Sequence, residues 1–406
     1  MKLLSNDCKT LSPARDFLNQ PMKNNSKNGH ENLGFLSEKF GFMPAHEPIQ
    51  GLPRTHFAWD DLAHNLSTLY RNQTLRKKLE RMPVLSADRD SLDDVFLLRA
   101  SVILSIFAHA YTRVENEPPV NIPDSIQTPW IEITHRLKRP EPFLSYIDLI
   151  IYNWKVRDST SIDPMRVENL DLLIPTVNNQ EERVFYLTQV EILSQTSPVL
   201  MHVINAQEAV LNNNKKALIK EFSLIKKRIQ HITKVSLPKI NPRPDSKTHV
   251  DPIVWAKTVA PFAVPLKEGT QGPSGTSSPF FHLMDVFLQR LNYSSILGQE
   301  ALKIREWYPE HLRNFLLAVE QISVPSYVAN SKDSKLLNAY NEMFEAYAGT
   351  NGFLGAHKRK VYGYLEMAFK VGRSVTIGGF QGLFEDKTWQ EVDRQLEETR
   401  QERLLT

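Results

Sequence analysis

Cysteine is almost absent from this sequence, and that scarcity limits the metal chemistry open to it. Cys8 is the only cysteine among the 406 residues. A single thiol excludes an internal disulfide and any cysteine-rich zinc or iron–sulfur site, and it favours a reducing compartment. Histidine or carboxylate side chains would therefore have to hold a metal. The N-terminus also lacks a basic segment followed by an apolar stretch, so we predict no signal peptide and a cytoplasmic location.

The sequence also has no large excess of positive or negative charge and no long uninterrupted apolar segment. The formal net charge is +3, with 23% charged and 41% hydrophobic residues, which gives no indication of a nucleic-acid or membrane partner. The longest apolar stretch, Val95 to Tyr111, contains Arg99 and His109. It is short for a bilayer-spanning segment and is better explained as a buried helix.

Several common catalytic motifs are absent. The twelve histidines form no His-x-x-x-His or His-Glu-x-x-His pattern, which argues against a zinc hydrolase. The sequence has no Gly-x-Ser-x-Gly nucleophile elbow and no phosphate-binding P-loop. Acyl transfer through such an elbow and P-loop phosphate chemistry are therefore unsupported.

Helical periodicity dominates what is present. From Leu52 onward apolar residues recur at helical spacing, whereas alternating β-branched runs joined by Asn-Gly turns are almost absent. Ser91-Leu92-Asp93-Asp94 has the form of a capping box, and Ser278-Pro279 combines an N-cap serine with proline at the first helical position. We predict an all-α fold.

Composition suggests three parts of the chain. Residues 1–45 are rich in Asn, Lys, Ser and Gly with little apolar periodicity, which predicts a mobile N-terminal extension. A change at the linker 158–163 predicts a small helical domain over residues 46–157, packed on a larger helical domain over residues 158–406.

Two glycine-containing loops and one histidine are the candidate site features. Gly272 to Ser278 leads into a predicted helix, and Thr376-Ile377-Gly378-Gly379 interrupts the helical pattern again. Glycines allow close approach of backbone to a ligand, but the spacing alone favours plain surface loops and a helix cap. His357 lies in a helical stretch from about Leu336 to Val371. It could be an axial haem ligand or an ordinary packed histidine.

The chain resembles the indoleamine 2,3-dioxygenase family through an ordered set of short matches. They cover most of residues 50–385 and comprise Leu52-Pro53 with Trp59; Tyr146-Ile147-Asp148 with Asn153-Trp154-Lys155; Phe185-Tyr186-Leu187-Thr188-Gln189-Val190-Glu191; Gly272-Pro273-Ser274-Gly275-Thr276-Ser277-Ser278 with Asp285; Arg313-Asn314-Phe315; and Ala356-His357 followed by Gly378-Gly379.

The resemblance implies a haem b enzyme whose larger domain encloses the haem. Its single axial histidine corresponds to His357, and the opposite face of the iron is left open for O2. The family inserts both oxygen atoms into the indole of tryptophan, which gives N-formylkynurenine. An external reductant is needed only to reduce ferric haem at the start.

Further site residues follow from the same resemblance. Tyr111 corresponds to an aromatic residue of the pocket wall, Phe185 to a phenylalanine that packs on the indole, and Trp255 to a pocket aromatic. Gln189 falls at the distal position, where a glutamine can form hydrogen bonds but cannot act as an acid or base. Shifting this motif by two residues would place Leu187 there instead.

The two glycine loops also have counterparts in the family. Ser274 and Gly275 correspond to a loop along the haem edge and substrate pocket, and we group Ser274 with Gln189 as the predicted catalytic residues. Gly378 and Gly379 correspond to a loop that closes over substrate and would exclude water.

One departure from the family concerns the substrate carboxylate. The arginine that binds it corresponds to Ala260 here, and alanine cannot replace a guanidinium. Either Lys257 substitutes as a point charge or the substrate is an indole derivative without that carboxylate. Two alternative functions remain. One is a diverged haem enzyme of the same fold, either a monooxygenase or an enzyme that performs a pyrrolnitrin-type ring rearrangement. The other is a non-catalytic haem-binding sensor or scaffold.

Overall fold

Helices form the body of the protein, as predicted. The computed structural model describes residues 10–18, 34–113, 121–267, 269–370 and 389–404. Within these ranges the α-helices are α1 (Phe57–Arg71), α2 (Leu75–Glu80), α3 (Leu97–Arg113), α4 (Asp124–Arg136), α5 (Gln180–Leu211), α6 (Lys215–His231), α7 (Pro252–Thr258), α8 (Pro279–Phe287), α9 (Ile296–Ile304), α10 (Glu310–Glu320), α11 (Val324–Ser331), α12 (Ser334–Ala348), α13 (Phe353–Lys370) and α14 (Trp389–Leu404).

Shorter elements join these helices. The π-helical turns are Ile147–Ile151 and Ile232–Ser236, and the 3-10 turns are Pro13–Phe17, Arg54–His56, Asp94–Phe96, Val167–Asn169, Leu237–Lys239, Ala260–Ala263, Gly275–Ser277 and Arg305–Trp307. The strands β1 (Trp154–Val156) and β2 (Leu170–Leu172) pair antiparallel, with Trp154 opposite Leu172. The domain boundary predicted after residue 157 falls in the connection between these strands, and the two-domain division stays a prediction.

The centre of the fold is built from helices packed side by side. α5 packs against α6, α6 packs against α12, and α13 packs against α7. The apolar stripe of α6 is fully buried and consists of Leu218, Phe222, Ile225 and Ile229, as a helical period of 3.6 residues requires for one core-facing side. These contacts place α5, α7 and α13 around the candidate site.

α3 is a long apolar helix, and 15 of its 17 residues are buried. Among the described residues, Asp94–Arg113 is the one segment long and apolar enough to cross a membrane, with a mean hydropathy of 1.6 and 83% of that window buried inside the protein. It packs against α1 and α4. The apolar surface of this segment is thus covered by the protein's own helices, as in the core helix of a globular domain.

The described part of the predicted extension is packed onto the body. Phe35 stacks on Tyr152 with ring centroids 5.8 Å apart, and Phe42 meets Phe315 edge-on at 6.4 Å. Gly41 adopts φ +58°, and a Cβ there would lie 2.8 Å from the Cα of Ser197 on α5, so this turn depends on glycine. Residues 34–45 therefore belong to the folded body, and the prediction of a mobile extension is wrong for them.

Two helix boundaries differ from the sequence prediction. The stretch predicted as one helix from Leu336 to Val371 is divided at residues 349–352. At Gly352 a Cβ would lie 2.3 Å from the carbonyl oxygen of Glu345, so the chain turns there against the end of α12. The capping box predicted at Ser91 is wrong: a 3-10 turn precedes α3, its N-cap position is Asp93, and the Ser91 amide donates to Asp88 Oδ1 at 2.8 Å.

Candidate active site

α5 contributes two of the predicted site residues on one of its sides. Asn179 caps this helix by accepting a hydrogen bond from the Glu182 amide at 2.8 Å. Phe185 and Gln189 are one turn apart, and Gln189 Nε2 donates to the Phe185 carbonyl oxygen at 3.5 Å. Because a carbonyl oxygen can only accept, the Gln189 amide turns its nitrogen towards the Phe185 carbonyl and its oxygen away from it. Gln189 Oε1 is buried and has no hydrogen-bond partner among the described residues.

An aromatic cluster joins α5, α7 and α13. The Trp255 ring lies 5.2 Å from Phe185 and 5.3 Å from Tyr364, centroid to centroid. Asp251 caps α7 by accepting from two amides, and Tyr364 Oη donates to the Val250 carbonyl at 2.9 Å. Trp255 Nε1 is buried without an acceptor in the part of the chain that the structure describes. The structure thus brings the predicted residues Phe185 and Trp255 together, with Tyr364 as a further member.

The loop from Gly272 to Ser278 lies against α5 at Gln189. A Cβ built on Gly275 would be 4.0 Å from Gln189 Oε1, so Gly275 faces the unpaired amide oxygen. Ser274 is buried, and its hydroxyl shares a hydrogen bond with the Thr276 hydroxyl. The predicted residues Gln189, Ser274 and Gly275 are therefore neighbours.

Residues that follow the loop hold it in place. His282 Nε2 donates to the Thr276 carbonyl at 2.9 Å, and Tyr308 Oη donates to the Ser277 carbonyl at 2.8 Å. His282 Nδ1 accepts from Arg305 Nε at 3.2 Å. Burial, together with the positive charge of Arg305, lowers the pKa of His282 to about 3. His282 is therefore a neutral imidazole with both nitrogens engaged, a role that the sequence pattern did not predict.

His357 lies near the start of α13 in aromatic surroundings. Its ring is 6.1 Å from Phe281 and 6.3 Å from Phe353. Phe281 is on α8, directly after the Gly272–Ser278 loop, so one segment contacts both Gln189 and His357. Burial, and then the charge of Arg403, lower the pKa of His357 to about 4. The imidazole is neutral near pH 7, the form in which histidine coordinates a metal.

The surroundings of His357 suit a metal that brings its own ligands. No group of three or more His, Cys, Asp or Glu side chains converges among the described residues, and neither nitrogen of His357 has a hydrogen-bond partner there. A porphyrin supplies four nitrogens to its iron and needs only one axial imidazole from the protein. The single neutral histidine between phenylalanines therefore fits haem.

The remaining predicted residues lie elsewhere or outside the described residues. The Tyr111 hydroxyl donates to Glu80 Oε1 at 2.9 Å, and the Arg76 guanidinium covers its ring at 5.5 Å. These contacts connect Tyr111 to α2, and none of the contacts above connects it to Gln189. Gly378 and Gly379 lie outside the described residues.

The place of the missing arginine is filled by a small buried residue. Ala260 begins the 3-10 turn after α7 and is 3% exposed. Lys257 is on the exposed side of α7, whereas Trp255 is on its buried side. Lys257, the proposed replacement for the arginine, is therefore on the side of α7 opposite to Trp255.

Known proteins with similar sequences come from one family. The sequence profile of the family described as Indoleamine 2,3-dioxygenase matches residues 35–350. Indoleamine 2,3-dioxygenase 1 of Mus musculus is 29% identical over 329 residues, covering 76% of this chain and 78% of that protein. Indoleamine 2,3-dioxygenase 2 of Homo sapiens is 25% identical over 77% of this chain and 79% of its own length. A 6-hydroxytryptophan 2,3-dioxygenase of Fusarium equiseti is 27% identical over 74% and 77%, respectively.

Proposed function

Since the chain belongs to the indoleamine 2,3-dioxygenase family, we propose that it is a haem-dependent dioxygenase that acts on an indole, with His357 as the axial ligand of haem b. The neutral imidazole of His357, free of protein hydrogen bonds among the described residues, is the observation that carries the ligand assignment. His357 lies seven residues beyond the end of the family match at residue 350, so this assignment depends on its surroundings in the fold.

The residues around the loop would bind and orient the substrate. Phe185 and Trp255 offer ring surfaces for an indole, which favours offset or edge-on aromatic contacts. Gln189 Oε1 is an unpaired acceptor, and the indole N–H is a donor that would satisfy it. Gly275 leaves room in front of this oxygen because it has no side chain. Together these groups would fix both the plane and the direction of the ring.

The chemistry requires no acid or base from this set. When bound, haem supplies the redox-active iron with which O2 reacts. Glutamine neither gains nor loses a proton near neutral pH, so Gln189 would hold the indole proton in place rather than remove it. Burial of this region would keep water away from the reacting ring.

The proposed partners are an indole, O2 and a reductant for ferric haem, in the cytoplasm. The relatives are named as dioxygenases, one of them acting on 6-hydroxytryptophan, which favours ring dioxygenation over the rearrangement and sensor functions. Because Ala260 replaces the expected arginine, the substrate class proposed is an indole in general. Tryptophan, its ring-hydroxylated derivatives and carboxylate-free indoles are the compounds to compare.

An absorption experiment tests the cofactor and its ligand. The full chain would be expressed with haem supplementation and recorded ferric, ferrous and ferrous with CO. We expect His357→Ala to lose stable haem while keeping its helical circular dichroism. His202→Ala is the matched control, since His202 also has a partly buried ring but pairs with Glu221 at 2.7 Å. Full haem occupancy with an unchanged spectrum in His357→Ala would exclude this histidine as the ligand.

The reaction is tested with isotopically labelled dioxygen. Each indole would be incubated with the ferrous enzyme, and the product mass would be measured. Incorporation of two labelled oxygen atoms into a ring-opened product is expected. Haem that binds CO normally while every indole remains unconsumed would contradict the dioxygenase function and favour a sensor.

A further inference from the structure

A buried ion pair lies behind Phe281, the residue that contacts His357. Asp285 on α8 is 1% exposed, and Arg403 on α14 donates to it through Nε at 2.9 Å and through Nη2 at 2.9 Å. The Tyr293 and Tyr347 hydroxyls each donate to the same carboxylate at 3.1 Å. Every donor that a buried carboxylate needs is thus present, and the negative charge is matched by one guanidinium.

The electrostatic balance of this cluster depends on Arg403. Burial alone would raise the pKa of Asp285, but the charge and hydrogen bonds of Arg403 lower it below its ordinary value. Asp285 is therefore ionised. Without the Arg403 guanidinium, the buried carboxylate would keep two tyrosine donors and the charge of Arg305 but no hydrogen-bonded positive partner, which is costly for a charge in a low-dielectric interior.

The cluster is linked to His357 by direct contacts. Asp285 lies one helical turn after Phe281 on α8, and Tyr347 Oη is also 3.4 Å from the Phe281 carbonyl oxygen. The Phe281 ring packs on Phe353 at 5.7 Å and on His357 at 6.1 Å. Phe281 therefore contacts the imidazole and lies one helical turn before Asp285, and the charge of Arg403 is close enough to lower the pKa of His357.

α14 is also fixed to the helix that carries His357. Lys358, the next residue, forms ion pairs with Glu397 at 3.0 Å and with Asp393 at 3.5 Å. Arg400 donates to the Ala348 carbonyl at 3.0 Å. Three successive turns of α14 thus contact the region behind His357, and α14 lies outside the family match that ends at residue 350.

We propose that Arg403 is a positioning residue that acts on the haem site through Asp285: it pairs with this carboxylate, so that the helix carrying Phe281 has no unpaired negative charge next to His357. This inference rests on the proposed ligation of haem by His357. Ferric haem has one more positive charge than ferrous haem, so an uncompensated carboxylate nearby favours the ferric state. By cancelling that carboxylate, Arg403 makes the ferrous state, which reacts with O2, easier to reach.

A redox titration of the haem-loaded full chain tests the proposal. Because burial alone would raise the pKa of an unpaired Asp285, the titration is run at alkaline pH to keep this carboxylate ionised. We then expect Arg403→Gln to raise the ferric-to-ferrous ratio at a fixed ambient potential by about tenfold, which is a fall of about 59 mV in the one-electron reduction potential. Arg403→Lys keeps the charge and should stay near the wild-type potential. Arg394→Gln is the matched control, because Arg394 is on the same helix but exposed, paired with Glu391 and Glu398.

A double variant separates this electrostatic role from a purely structural one. Arg403→Gln combined with Asp285→Asn removes both charges, so the potential should return towards the wild-type value although the contact between α8 and α14 stays broken. A potential unchanged in Arg403→Gln, or one that stays shifted in the double variant, would overturn the inference. Wild-type protein that binds no haem would overturn both this inference and the proposed function. Haem bound through His357 with an unmoved potential would overturn the inference alone.

Discussion

Replacing Gln189 by methionine should weaken substrate binding without destabilising the protein. The amide oxygen is buried and has no partner among the described residues, so methionine of similar volume would lose only the long hydrogen bond of 3.5 Å from Gln189 Nε2 to the Phe185 carbonyl. An unpaired buried acceptor costs about 1–3 kcal/mol. We therefore expect the unfolding free energy of Gln189→Met to stay level or to rise by about 1 kcal/mol.

The effect on binding should have the opposite sign. In the variant the indole N–H would be buried without an acceptor, a penalty of about 1–3 kcal/mol, or roughly 5- to 150-fold in the dissociation constant. An indole methylated on nitrogen has no N–H to lose. Its affinity should therefore be the same for wild type and variant, and the difference between the two ligands isolates the hydrogen bond.

The assay is a titration of the haem absorption change with each ligand, alongside urea unfolding. Leu187→Met is the matched control: Leu187 is the residue that a two-residue shift of the motif would place at the distal position, and it is 0% exposed. It should cost less than about 1.5 kcal/mol in stability and leave the discrimination between the two indoles intact. Equal losses for both indoles in Gln189→Met would refute the proposed contact. Loss of discrimination in Leu187→Met as well would mean that the discrimination depends on the shape of the pocket and not on a hydrogen bond to Gln189.

Two further predictions concern the loop. Because the pKa of His282 is about 3 when folded and 6.5 in the ordinary state, lowering the pH through this window should destabilise the protein as the unfolded state takes up a proton. His282→Gln should show a shallower fall in unfolding free energy between about pH 7 and about pH 5, and an unchanged slope would contradict a buried neutral His282. Gly275→Ala places a Cβ 4.0 Å from Gln189 Oε1, which is an ordinary contact. The temperature of thermal unfolding should therefore shift little, whereas the affinity for the indole should fall. Unchanged affinity would mean that the substrate does not lie in front of Gly275.

Local periodicity was sufficient to predict the helices but not their interruptions. Leu218, Phe222 and Ile225 recur at helical spacing and are fully buried, because one side of a helix must face the core. The break between α12 and α13 depends on how closely Gly352 approaches the carbonyl of Glu345. That distance is a tertiary property, so an apolar pattern continuing from Leu336 gave no sign of it.

The same distinction holds for the site. The family resemblance supplied Phe185, Gln189, Trp255 and Gly275 as site residues. The spacing of four residues between the first two agrees with their place on one side of α5. The contact of Arg403 with Asp285 joins positions 118 residues apart. No short-range signal encodes such a pair, and a basic residue in a charged helix is typical of a solvated surface. The same holds for His282, whose role depends on Thr276 and Arg305 together.

The distance along the chain between Asp285 and Arg403 also affects how a newly made protein matures. At about 5–20 residues per second, a ribosome adds the 118 residues that separate them in roughly 6–24 s. During that time the Asp285 carboxylate has no guanidinium to accompany it into the interior, and its burial is unfavourable. We therefore expect the part of the core next to His357 to close only after α14 has emerged, and insertion of the proposed haem would then follow synthesis rather than accompany it.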